Sequence, residues 1–312
     1  MAGNRLLVHY VFLLALPILV AYFGLTTSGA IAMVLATLAW RLAITLSVLI
    51  FPHRVPKLEL ESIAISHFVE KVRWSMDRLG VEYSERQVAG IIGVLFLGRT
   101  VPQLKIRTGR VRSVVGESPA ILRYLWGAYS AEFGDKAAFL EPTPDRLKLE
   151  KSIDDYGVNL QVWLYHHILP HRAISLQAWG GNAARTPLWQ RAALHALFPL
   201  LSIFLRRAFA ISDDHYREAV ERIDSFLQGI EDRVAADQSS ILSAEGIDYV
   251  DISFAAISAV WLLPDGFAAG KADEVRIAHD AIPPPMRSDI DRWRAAYPNS
   301  AGFVERLYAQ ER

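Results

Sequence analysis

The sequence predicts a mixed α/β domain followed by an all-helical domain, with a two-helix transmembrane hairpin in front of both. Three observations carry this expectation. Two long apolar runs open the chain, strand and helix periodicities alternate over residues 56–127, and residues 128–312 keep helical spacing with no competing strand pattern.

The hairpin comes first, over residues 1–55. Leu6 to Leu25 runs for twenty residues with no formal charge, and Ala30 to Phe51 for twenty-two with only Arg41. Each is long enough to cross a hydrocarbon core of ~30 Å at ~1.5 Å per residue. The connector Thr26–Gly29 is uncharged, whereas Arg5 precedes the first run and His53, Arg54 and Lys57 follow the second. By the positive-inside rule both ends face the cytoplasm, giving an integral membrane protein with its soluble body on the cytoplasmic side. A cleaved signal peptide fits less well, because the first run is too long and no small-residue cleavage site precedes the second. A soluble core would have to absorb forty-odd nearly uncharged residues. Arg41, mid-span, is costly against lipid and should face the other helix, a second protomer or water.

The whole chain carries 33 basic and 33 acidic residues, is 52% hydrophobic, and contains no cysteine; its mean hydropathy is +0.20. The first 56 residues hold three arginines and no acid, which leaves 30 basic and 33 acidic residues for the remainder. Neither a general positive field nor a Lys/Arg stripe with interleaved aromatics is present, so nucleic acid is not an expected partner. Without cysteine there is no disulfide, thiolate metal site or Cys nucleophile. Any nucleophile must be an oxygen or belong to a bound ligand.

After the hairpin, Lys57 to Glu61 alternates as a strand, Phe68 to Leu79 has helical spacing and stops at Gly80, and Val81 to Tyr83 restarts as a strand. A short segment at Ile91 to Leu97 follows. Gln103 to Ile106 and Val111 to Val115 alternate around Thr108-Gly109 as a hairpin. Ser118-Pro119 then opens a helix through Trp126, with Ser as N-cap and Pro at the first helical position. Residues Gly127 to Thr143 read as a linker. Helical runs follow at about Arg146 to Ile168, Pro187 to Phe209, Ser212 to Ala236, Asp248 to Leu263, and a last one ending near Arg312.

Four local motifs resemble the glutathione transferase family, over roughly Lys57 to Arg312. They are Ser66-His67-Phe68-Val69-Glu70-Lys71-Val72-Arg73, Thr100-Val101-Pro102-Gln103-Leu104, Glu117 to Leu125, and Gly246 to Ala256. Each is weak by itself, but together they stand in family order and at family spacing. The resemblance implies a thioredoxin-like domain ahead of the helical one, with glutathione as co-substrate and no metal. The membrane hairpin lies outside the usual family pattern.

The resemblance also implies site roles. Ser118 stands where a hydroxyl and free N–H groups at a helix start hold the γ-glutamyl carboxylate, and Glu117 would accept from the ligand's ammonium group; read alone, the pair is an N-cap and a solvated charge. The Val101–Pro102 bond would be cis, turning the Val101 backbone towards the ligand's cysteinyl unit; read alone, Pro102 is a proline at a strand start. Ser66 matches the hydroxyl that stabilises the ligand's thiolate in serine-type members, although Ser is also a preferred N-cap. Ser62, at the end of its strand, is the nearest rival. His67 departs from the family's usual proline or small residue.

Asp248 and Asp251 have capping-box spacing and read as structural. His166, His167 and His171 are interrupted by Pro170 and lack an acid or Cys to complete a metal set. The apolar run Ala192 to Leu205, bracketed by Arg191 and Arg206-Arg207, is too short to span a bilayer and contains Pro199. It reads as core first, and as pocket wall or surface-lying membrane helix second.

The resulting expectation is a membrane-anchored glutathione transferase acting on a small apolar electrophile. A membrane-tethered adaptor without chemistry, or a glutathione-dependent isomerase, reductase or dehalogenase, would share the same site. A homodimer is compatible with the sequence.

Overall fold

A computed structural model describes residues 18, 22, 27–50, 55–88, 101–108, 111–184, 186–234, 238–242, 246–277 and 279–312. The chain divides into two compact units, residues 1–57 with 106–113 and residues 58–105 with 114–312.

In the first unit, α1 (Thr27–Ile50) is a 24-residue helix, ~36 Å long at ~1.5 Å per residue. Leu35, Leu38, Trp40 and Leu42 are exposed on it. Its hydroxyls turn back on the helix: Thr37 Oγ1 donates to Met33 O at 2.9 Å and Thr45 Oγ1 to Arg41 O at 3.1 Å. Thr27, Ser28 and Gly29, expected in the connector, are helical, because small polar residues suit a first turn whose N–H groups need no intrahelical acceptor. The first expected span lies outside the described residues apart from Ile18 and Tyr22, both helical.

The sheet has four strands in the order β2-β1-β3-β4, where β1 is Lys57–Ser62, β2 Tyr83–Gln87, β3 Gln103–Thr108 and β4 Val111–Gly116. β1 and β2 run parallel, with Leu58 opposite Tyr83 and Ser62 opposite Gln87. Between them lies α2 (His67–Leu79), closed by Gly80 at φ 78°, a left-handed turn that glycine adopts without steric cost. Strand β2 begins at Tyr83 rather than Val81 because the Val81 N–H bonds back to Met76 O at 3.3 Å and is lost to a ladder. The expected segment at 91–97 and the hairpin tip at Gly109 lie outside the described residues.

Helix α3 (Ser118–Phe133) runs past Gly127 instead of giving way to a linker. A single exposed glycine costs a helix only ~1 kcal/mol, and Leu122, Leu125 and Tyr129 keep one face of α3 buried through that point. A 3-10 turn over Gly134–Leu140 follows and buries Ala137, Phe139 and Leu140.

The remaining helices are α4 (Pro144–Ile168), α5 (Arg172–Ala178), α6 (Leu188–Ala208), α7 (Asp213–Glu231), α8 (Tyr249–Leu262), α9 (Pro284–Ala296) and α10 (Pro298–Glu311). Helix α8 is the hub, packed against α2, α4 and α10, and thirteen of its fourteen residues are buried. Its capping box forms as expected: Asp248 Oδ1 accepts from Asp251 N at 3.3 Å and Asp251 Oδ2 accepts from Asp248 N at 2.8 Å.

Among the described residues α6 is the one helix both long and apolar enough to cross a membrane, by length and composition alone. The run expected to be too short gains its length from flanking helical residues. Pro199 does not break α6: the His195 carbonyl, deprived of its partner N–H, accepts from Arg172 Nη2 at 3.0 Å. One stripe of α6, from Gln190 through Leu194, Phe198 and Leu201 to Leu205, is buried. Leu188, Trp189, Leu200 and Ile203 are exposed.

A buried ionic network ties α2 to the sheet and to the end of the chain. Arg73 Nη1 meets Glu70 Oε2 at 2.5 Å, and Arg73 Nη2 meets Glu85 Oε1 at 2.7 Å. Glu85 also accepts from Ser62 Oγ at 2.7 Å and Lys271 Nζ at 2.9 Å. Arg312 Nε donates to Glu70 Oε1 at 2.7 Å. Lys71 pairs with Glu150 at 3.0 Å and Asp154 at 2.9 Å. Buried charges persist only when paired in this way.

Candidate functional site

The turn between β1 and α2 positions Ser66. Its φ of −71° and ψ of 120° are extended, and its Oγ accepts from Val69 N at 3.4 Å as the N-cap of α2. The side chain is half-buried. Capping uses an oxygen lone pair and leaves the O–H free to donate. Ser62 offers no such freedom, because it is fully buried and its hydroxyl proton is committed to Glu85.

The peptide bond between Val101 and Pro102 is cis. Pro102 O accepts from Glu117 N at 3.2 Å, which ties the entry of β3 to the start of α3. Glu117 itself has φ 68° and ψ 137°, a conformation non-glycine residues adopt only where the surroundings impose it. Its side chain is exposed, whereas Ser118 is 3% exposed. Glu117, not Ser118, occupies the N-cap position of α3, and it makes no side-chain cap. The expected Ser118 N-cap is therefore displaced by one residue, since the strained Glu117 backbone turns the chain into the helix. No side-chain oxygen of the cap residue covers the first-turn N–H groups, and the helix start keeps its partial positive charge.

Thus the structure brings Val101, Pro102, Glu117 and Ser118 together and sets Ser66 on the turn after the neighbouring strand. Among the described residues no hydrogen bond joins Ser66 to the other four.

Next to Ser66 in sequence, Ile65 and His67 line an apolar cavity of about 80 Å³ with Tyr165, Trp179, Phe267 and Met286 among its other walls. His67 is 5% exposed. Burial depresses its imidazole to about 4, despite a bond to the Gly157 carbonyl that works the other way. Sequence reasoning marked His67 only as a departure and passed over Trp179, which belongs to no motif.

Two of the three histidines considered for metal binding, His166 and His167, are engaged otherwise. His166 stacks on Tyr216 at 4.1 Å, and His167 Nε2 lies 3.2 Å from Asp289 Oδ2, which also accepts from Trp163 Nε1 and Tyr216 OH. Among the described residues no three His, Cys, Asp or Glu side chains are grouped to hold a metal ion. Lys71 and Arg73, which helped to carry the resemblance, are buried in the ion pairs given above.

No protein-family model matches the sequence, and no curated protein does. By structure the chain is similar to a glutathione S-transferase from Methylobacterium radiotolerans JCM 2831, solved with glutathione sulfonate. The TM-score is 0.51 at 16% identity, over 81% of this chain and 91% of that one. A glutathione S-transferase from Methylobacillus flagellatus KT with glutathione bound gives a TM-score of 0.47 at 12% identity, over 82% and 98% of the two chains. At such identities the likeness is one of fold: a small mixed sheet followed by helices.

Proposed function

We propose that the chain is a membrane-anchored glutathione transferase that adds glutathione's thiolate to a small apolar electrophile. The observation that carries this reading is the Glu117 N to Pro102 O bond at 3.2 Å, which sets a buried Ser118 and the open first turn of α3 beside the Val101 backbone. Glutathione's γ-glutamyl carboxylate would lie on that helix start, its ammonium group near Glu117, and its cysteinyl unit along Val101. Ser66 would donate its free O–H to the sulfur, aided by the N-terminus of α2. The apolar cavity lined by Ile65 and His67 would receive the electrophile.

Anchoring is supported by the apolar runs Leu6 to Leu25 and Ala30 to Phe51, the exposed Leu35, Leu38, Trp40 and Leu42 of α1, and the flanking Arg5, His53, Arg54 and Lys57. Both ends of the anchor would face the cytoplasm.

A membrane-tethered adaptor is the second reading, and the observation on its side is that Ser66 already has structural work as the cap of α2. Glutathione-dependent isomerisation, reduction or dehalogenation would use the same five residues. Calorimetric titration of the detergent-purified chain with glutathione tests the binding step, and a panel of electrophiles then separates these chemistries. Absence of glutathione binding would remove all of these glutathione readings together; binding without turnover of any class of electrophile would leave the adaptor.

A further inference from the structure

Helix α6 turns outward a face that water does not suit. Leu188, Trp189, Leu200 and Ile203 are 75%, 64%, 65% and 52% exposed. At ~100° per residue they fall on one side of the helix, with the exposed Ala192, Ala196 and Pro199 between them. From Leu188 to Ile203 this face is ~22 Å long at ~1.5 Å per residue, and it bears no charged side chain. His195, at its edge, has its ring bonded to Asn182 at 3.3 Å. Single exposed apolar residues need no explanation, but a contiguous patch of them marks an interaction surface.

Charge says what covers it. Tyr156 to Ser212 is a stretch of 57 residues without Asp, Glu or Lys that holds five arginines, while the rest of the chain has 28 basic and 33 acidic residues. Three of the five belong to α6: Arg191 near its start, and the exposed Arg206 and Arg207 in its last turn. Among the described residues no ion pair engages these three, and the next acids along the chain, Asp213 and Asp214, face His166 at 3.1 Å and Arg217 at 2.7 Å. An apolar face flanked by unpaired cations is complementary to a bilayer with anionic headgroups, since the side chains enter the acyl boundary while the guanidinium groups stay level with the phosphates. A protein partner fits less well, because a protein interface carries about one hydrogen bond per ~100–200 Å² and the middle of this face offers none.

The helix lies along such a surface and does not cross it. Leu194, Leu201 and Leu205 on its opposite side are buried in the protein, and Phe198 packs on Trp179 with ring centroids 5.6 Å apart. Spanning would strip that stripe from the core.

We propose that α6 docks in the plane of an anionic membrane surface, with Leu188, Trp189, Leu200 and Ile203 inserted and Arg206 and Arg207 on the headgroups. This is a second membrane contact, independent of the proposed hairpin anchor, and it sets which side of the helical domain faces lipid.

Because the chain has no cysteine, single nitroxide labels can be placed cleanly. Full-length Trp189→Cys, Ala196→Cys, Leu200→Cys and Ile203→Cys, with Ser152→Cys on the exposed side of α4 as control, are labelled and reconstituted into vesicles of phosphatidylcholine mixed equally with phosphatidylglycerol. Collisions with oxygen, which concentrates in lipid, and with a water-soluble nickel chelate give the depth of each label. The four α6 labels are expected ~5–10 Å inside the headgroup boundary and at one common depth, while the control stays open to nickel. Combining Arg206→Gln with Arg207→Gln, or using pure phosphatidylcholine, should shift the inserted population towards water at least several-fold. Nickel access at all four positions, or depth that increases steadily along the helix as in a span, would overturn the proposal. So would protection that persists without anionic lipid and brings spin–spin broadening between copies, which would assign the face to a second copy of the chain. Release of the chain from the vesicles by high salt, once insertion of α6 has been seen, would instead sink the hairpin anchor and keep this contact.

Discussion

The backbone N–H of Glu117 donates to the carbonyl oxygen of Pro102 at 3.2 Å. This bond joins two segments fifteen residues apart and holds Glu117 at φ 68°. A left-handed φ on a residue with a Cβ costs ~1–3 kcal/mol, and a structural role alone would be served better by glycine.

Glu117→Gly accordingly separates stability from binding. The variant should unfold at the same denaturant concentration as the parent or a higher one, because glycine relieves the strain. Its affinity for glutathione should fall at least tenfold, through loss of the carboxylate. A calorimetric titration beside a urea melt measures both, and unchanged affinity would return Glu117 to a solvated charge.

Ser118→Ala is expected to weaken glutathione by ~1–3 kcal/mol, the range for a lost hydrogen bond to a charged partner. Because Ser118 is not the cap of α3, the substitution should cost less stability than the loss of a cap, under ~1 kcal/mol. Equal glutathione affinity in the two proteins would count against the proposed carboxylate site.

At Ser66 a cap and a thiol activator can be told apart by three replacements. Ser66→Asp caps α2 as well as serine does but offers no donor and repels a thiolate. It should be as stable as the parent and nearly inactive. Ser66→Thr should keep both properties. Ser66→Ala should lose ~1 kcal/mol of stability and slow the reaction roughly 10–1000-fold at neutral pH, with partial recovery as pH rises. A full rate in Ser66→Asp would show that the hydroxyl does no chemistry.

His67 makes stability depend on pH in a defined window. Its imidazole titrates near 4 in the folded chain against ~6.5 unfolded. Above ~6.5 neither state is protonated and the folded state is at full strength. Between 6.5 and 4 the unfolded chain gains a proton the folded chain refuses, and stability falls by ~3 kcal/mol in all. Denaturant melts at pH 7 and pH 5 should therefore diverge more for the parent than for His67→Phe; parallel behaviour of the two would contradict the neutral buried ring.

Gly157 lies where α4 passes α2, and a Cβ built there would stand 2.9 Å from Phe68 Cζ. Gly157→Ala gains ~1 kcal/mol of helix propensity but overpacks the crossing at a cost of ~1–3 kcal/mol, so it should destabilise on balance. Phe68→Leu in the same chain should recover most of the loss, and a double-mutant cycle gives the coupling.

Much of this was legible in the sequence, and the reasons differ by element. The capping box at Asp248 and Asp251 and the helix stop at Gly80 are local signals, fixed by side chains and φ angles within a few residues. Five candidate site residues could be named because short motifs mark them. The last helical run expected to end near Arg312 is two helices, α9 and α10, and α9 opens on Pro284 and Pro285, which a first helical turn tolerates. The shift of the α3 cap from Ser118 to Glu117 is invisible without backbone angles. Trp179 belongs to no sequence motif and reaches the cavity wall only through the fold, which no sequence pattern records.

The pairing of Arg312 with Glu70 reaches across 242 residues, and its consequence lies in the order of folding. Loop closure over such a separation is slow compared with local contacts, so α2 must be built and held near the sheet before the guanidinium arrives. Glu70 meets Arg73, three residues away, at 2.5 Å, and its other oxygen also accepts from Ala268 N at 3.1 Å. The Arg312 contact thus joins a buried carboxylate that partners from three separate parts of the sequence share, so the network closes only when all three have converged.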